Sequence, residues 1–216
     1  MFFDRRLRFV RLQSRGIILV VITAVCLGSA GVTFAAIIPG VDSIYPTSNT
    51  GWICSGSSTV GGSFYCQTDN NSLTFGLESM TATQQSVFRN MMSSQYNPTD
   101  LNTSEESPIS YSGSSETDIV FQVGTLGAGI NGITWCNDSI SFTKCDQHYV
   151  RIIPTRVSST ASTPCHETGH AVGLTHGSNA SPTQLDDNTN FECLRVPGTA
   201  ITTLGAHNYA QINGEY

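Results

Sequence analysis

Thr163-Pro164-Cys165-His166-Glu167-Thr168-Gly169-His170-Ala171-Val172-Gly173-Leu174-Thr175-His176 is the stretch on which the reading of this chain turns. Thr163 suits a helix N-cap and Pro164 a first helical position, so a helix is expected to begin there. On that helix His166 and His170 lie one turn apart on the same face. Two imidazole nitrogens at that spacing can grip one tetrahedral ion. Glu167 follows the first histidine and can lean toward such an ion without ligating it. Three of the five histidines in the chain fall between positions 166 and 176.

An unbroken helix would leave His176 about 9 Å along the axis from His170 and roughly 120° off its face. It could not share the ion from there. Glycine adopts the left-handed conformation without penalty, so Gly173 can end the helix and turn the chain back. His176 would then supply a third ligand, and a fourth position open to water marks a catalytic zinc site. His166, His170 and His176 are therefore the candidate metal ligands, one zinc ion the expected cofactor, and Glu167 the candidate general base on metal-bound water.

These positions match the His-Glu-x-x-His-x-x-Gly-x-x-His signature of the metzincin clan at every fixed residue, and the chain most resembles the small secreted matrixin-like peptidases. The resemblance implies an α/β (α+β mixed) fold: a twisted mixed sheet with two helices above a zinc cleft, and a small irregular lower subdomain ending in a helix, here residues 206–216. It also implies an extended peptide substrate paired with the sheet edge near Gly132 to Trp135. Three features depart from the pattern. No methionine follows Met92, and the best positional match to the turn methionine beneath the zinc is Leu194, an apolar side chain of similar volume. The tyrosine that follows that turn in some branches is missing. So is the cysteine-bearing pro-segment of the matrixins, which leaves Cys54 as the remaining candidate for a thiol contact to zinc.

Charge narrows the partners. Arg5, Arg6, Arg8, Arg11 and Arg15 crowd the N-terminus, and beyond them five basic residues face fifteen acidic ones, a net charge of −10. A body this acidic offers no footprint for nucleic acid. The basic start, the apolar run Ile17 to Ile22 and the small residues of Thr33-Phe34-Ala35 read as a signal peptide over 1–35. The alternative is an uncleaved membrane anchor over residues 17–38. Residues 36–64 read as an irregular N-terminal segment and 65–216 as the catalytic domain.

Apart from Cys26, six cysteines remain, an even number that suggests three disulfides in an oxidising compartment. Of fifteen connectivities, sequential pairing is preferred: Cys54–Cys66, Cys136–Cys145 and Cys165–Cys193. The first two close short loops, and the third ties the start of the motif helix to a later segment.

Periodicity places a strand within 65–79, then a helix over Ala82–Tyr96 capped by Thr81, with Val87, Phe88, Met91 and Met92 on its core face. Residues 97–115 are polar and turn-rich. Strands are expected at Asp118–Val123, Gly132–Trp135 and Tyr149–Ile153. His148 is read as a surface or packing residue and His207 as solvent-facing on the last helix. Asp186-Asp187-Asn188 is a candidate calcium loop, weighed against a plain solvated one. The expected protein is a secreted, monomeric zinc metalloendopeptidase acting on protein or peptide substrates. The alternative is an exported zinc-binding protein of the same fold that has lost catalysis and serves as a binding module.

Overall fold

The structure, a computed structural model, describes residues 36–51, 53–157, 161–198 and 200–216. The expected signal segment at 1–35 lies outside them, as does most of the candidate anchor. Among the described residues no helix is long and apolar enough to cross a membrane.

One six-stranded sheet carries the fold: β1 (Gln67–Thr68), β2 (Thr74–Glu78), β3 (Ser104–Glu105), β4 (Ile119–Val123), β5 (Gly132–Ser139) and β6 (Lys144–Ile152). β1, β6, β4, β2 and β3 are parallel neighbours in that order, and β5 runs antiparallel along β6. β4 buries the apolar run Ile119-Val120-Phe121, as a strand covered on both faces should. Parallel neighbours need a crossover between them, and α1 (Ala82–Met91) supplies the one from β2 to β3 and β4. Thr81 caps α1 through a reciprocal bond with Gln84. Phe88, Met91 and Met92 are buried, and the Phe88 ring packs 4.6 Å from that of Phe121. The architecture is mixed α/β with a mostly parallel sheet.

After β6 come a single helical turn, α2 (Pro154–Val157), then α3 (Ser162–Ala171), a long irregular stretch, and α4 (Gly205–Glu215). α1 and α3 belong to one apolar core, and Tyr96, at the end of the turn that follows α1, donates its hydroxyl to the Cys165 carbonyl at 2.6 Å. The six cysteines among the described residues pair in sequence: Cys54–Cys66, Cys136–Cys145 and Cys165–Cys193. Three disulfides fit an extracellular protein. With Cys54 bonded to Cys66, no thiol is left there for a metal contact.

Several expectations are corrected. The stretch 65–79 holds two strands, β1 and β2, because the turn at 69–73 interrupts it. β5 and β6 run longer than their apolar cores, since the hairpin pairing continues to Ser139 and Cys145 through polar residues. The short β3 lies in the turn-rich stretch. The last five residues of the expected first helix, Met92–Tyr96, are wound as a π-turn. α3 starts one residue before Thr163, capped by Ala161 without a side-chain bond. Pro164 is then the third helical residue, still among those whose amide has no helical acceptor. His148 is buried in β6 as a packing residue. His207 does not face solvent. It is fully buried and bonded to Ser43.

Candidate metal centre

Gly173 does what its position in the sequence suggests. Its φ of +90° is left-handed, its amide returns to the His170 carbonyl, and the Leu174 amide returns to the Gly169 carbonyl at 2.8 Å. This pair of bonds is the Schellman termination of a helix. The chain reverses, and His176 comes back beneath α3.

The three imidazoles converge. Nε2 of His166 lies 3.0 Å from Nε2 of His170 and 3.0 Å from that of His176, and the last two are 3.1 Å apart. Nitrogens bonded at 2.0–2.1 Å to a tetrahedral zinc lie about 3.3 Å apart, so the triangle has nearly the required size. Each opposite nitrogen is already engaged. His166 Nδ1–H donates to the Cys193 carbonyl at 2.7 Å and His170 Nδ1–H to the Leu174 carbonyl at 2.8 Å. Nδ1 of His176 meets the Tyr65 hydroxyl at 3.2 Å. A carbonyl can only accept, so the first two contacts fix the tautomer that turns an Nε2 lone pair to the common point. Burial lowers the pKa of all three, and repulsion between the rings adds to the fall at His170 and His176, with that of His176 brought to about 4. The neutral form, the one that binds metal, is favoured.

Glu167 is 7% exposed beside them, at the wall of a cleft of about 660 Å³ lined also by Phe64, Tyr65, Ile130 and the three histidines. Its Oε2 accepts from the Thr134 hydroxyl at 2.9 Å. Burial pushes its pKa up to about 7, opposed by that bond. Gly132 on β5 faces it at close range. A Cβ there would lie 2.7 Å from Glu167 Cγ and 2.8 Å from its Oε1. Only glycine lets the strand and the carboxylate approach so closely.

Leu194 is fully buried beneath α3, and a Cβ on Gly169 would meet both its methyls at 2.9 Å. It therefore forms an apolar floor under the helix that carries the first two histidines. The acidic loop Asp186-Asp187-Asn188, weighed as a calcium site or a plain solvated loop, makes local bonds. Asp186 Oδ1 accepts from the Ser178 amide at 2.6 Å, and the Asn188 side chain caps the following turn. Among the described residues, two other groups of side chains converge as metal sites do. Cys54, Cys66 and Cys136 are oxidised in disulfides. Glu116, Asp138 and Asp146 form an acidic cluster near the far end of the β5–β6 hairpin.

The sequence singled out the histidines, Glu167, Gly173 and Leu194. It gave no sign of Tyr65, Thr134 or the Cys193 carbonyl, which support them. Tyr65 opens a stretch read only as a strand, where nothing marks its hydroxyl as a partner of His176, and backbone acceptors carry no residue signature.

Comparison with protein-family models and with curated proteins produced no match to this chain.

Proposed function

We propose that the protein is a secreted zinc metalloendopeptidase of the metzincin kind. The observation that carries this reading is the meeting of three imidazole Nε2 atoms at 3.0–3.1 Å beside a buried carboxylate in an open cleft. His166, His170 and His176 would hold the ion. Three neutral ligands leave a bound zinc its full charge, which polarises a water molecule and a peptide carbonyl.

The remaining work falls to the chain's own groups. Glu167 takes the proton of the attacking water and returns it to the departing amine. Thr134 holds one carboxylate oxygen, and the other lies toward Gly132. β5 orients the substrate. In the β5–β6 ladder Asn131 accepts from Ile153, so alternation turns the backbone of Gly132, Thr134 and Cys136 to the outer edge. Cys136 is covered there by Ser57 and Ser63, while Gly132 and Thr134 line the cleft. An extended peptide can pair with that stretch by strand addition.

The test is zinc content of the purified protein by elemental analysis, with casein cleavage before and after chelation. One zinc per chain and cleavage that chelator abolishes are expected. Stoichiometric zinc without cleavage of any offered protein would favour a binding module instead.

A further inference from the structure

The loop that delivers His176 is held from outside by a segment that has no part in the proposed chemistry. Ile44 bridges Leu174, and the Tyr45 amide donates to the Gly173 carbonyl at 2.7 Å. The Thr175 amide and hydroxyl both donate to the Ser43 carbonyl, at 2.8 and 3.1 Å. At the other end of the loop Asp42 and Ser181 exchange both backbone bonds, at 2.8 and 2.7 Å. Residues 42–45 are thus a middle strand clasped between the two flanks of the His176 loop.

This strap is fixed in turn to α4. Gln211 Oε1 accepts from the Ser43 amide at 2.8 Å, and Gln211 Nε2 donates to the Val41 carbonyl at 3.2 Å. His207 Nδ1 accepts from the Ile38 amide at 3.4 Å, which leaves its Nε2–H to donate to the Ser43 hydroxyl at 3.1 Å. His207 and Ser43 are fully buried.

We infer that the strap, with His207 and Gln211 behind it, positions the third imidazole. The inference rests on the reading of the three histidines as a metal site. The first two ligands sit on one helix and need no outside help to share a face. The third sits beyond a glycine turn, where the backbone is free to move unless something orders it. Ordering the loop before the metal arrives removes that entropic cost from binding. Without the strap the same cost would fall on metal affinity.

The decisive measurement is zinc affinity of the full, folded chain, by competition with a chromogenic chelator, for wild type, Gln211→Ala and Ser43→Ala. A dissociation constant raised about 10-fold or more is expected in both variants, the range for partners that orient ligands. Tyr209→Phe serves as the control, since Tyr209 lies on the same helix but bonds Ser94. It should bind zinc as wild type does. Hydrogen exchange at the Tyr45 and Thr175 amides should quicken together in the two strap variants while α3 amides stay protected. Visible absorption of the cobalt-loaded variants should shift toward that of a site with fewer imidazoles. If Ser43→Ala does not fold, Gln211→Ala decides alone, because its side chain is only half-buried. Unchanged zinc affinity in variants of a zinc-binding wild type overturns the strap and spares the metal site. A wild type that takes up no zinc removes the metal site, and the strap's role with it.

Discussion

Cys193 holds α3 at two adjacent points: its sulfur is bonded to Cys165, and its carbonyl oxygen lies 2.7 Å from Nδ1 of His166. One residue therefore fixes both the first turn of α3 and the tautomer of its first histidine. Glu192, just before it, has φ 45°, a left-handed value unusual for a residue with a side chain. The Glu192 carboxylate is held by the Thr203 hydroxyl at 3.0 Å. The segment keeps this geometry because it is tied on both sides.

Replacing Cys165 and Cys193 together by serine should therefore do more than destabilise. A loop spanning a separation of 28 residues is worth roughly 3.5 kcal/mol on chain entropy. Zinc affinity should fall as well, because the Cys193 carbonyl is no longer held against His166. Removing Cys54–Cys66 in the same way should lower the melting temperature with little effect on zinc affinity. Thermal unfolding and chelator competition on the two variants separate these outcomes. Equal zinc affinity in both would deny Cys193 its orienting role.

Glu167→Gln keeps the shape and removes the proposed base. Peptide cleavage is expected to drop about 10²–10⁴-fold, the usual worth of a general base, with zinc content unchanged. Gly132→Ala should act on the same residue from the other side, since its Cβ would have to displace Glu167. A kcat loss with zinc retained is expected there too. Full activity in Gly132→Ala would mean that the carboxylate can work from another position.

Leu194→Met should be tolerated, at a cost under about 1.5 kcal/mol, because the volumes are alike and methionine is flexible. Leu194→Ala should cost about 2–5 kcal/mol and loosen the floor beneath Gly169. Denaturant unfolding measures both. A neutral Leu194→Ala would show that the floor is not close-packed.

Acid should unfold the protein partly through His148. Burial lowers its pKa from 6.5 to about 3. Between those values the unfolded chain binds a proton that the folded chain refuses. The contribution is complete above pH 6.5 and is lost as pH falls toward 3, at roughly 1.4 kcal/mol per pH unit at most. His148→Gln should therefore show a shallower loss of stability than wild type over that window. Parallel curves would mean that His148 is already neutral in the unfolded state or charged in the folded one.

The sequence by itself determined the parts whose chemistry is local. Histidines one helical turn apart share a face whatever surrounds them, and a glycine after a helix can turn left-handed where other residues resist. The Cys54–Cys66 and Cys136–Cys145 pairs, the Thr81 cap and the β4 run were also legible, because short loops, caps and apolar runs act over a few residues. Tertiary structure alone decided what supports the site. Tyr65 reaches His176 across 111 residues, and the Ser43 hydroxyl meets His207 across 164. The burial of His207 escaped the sequence for the same reason: its partners come from the far end of the chain. Such contacts join side chains far apart in the sequence, where no local spacing announces them, and only the folded path of the chain brings them together.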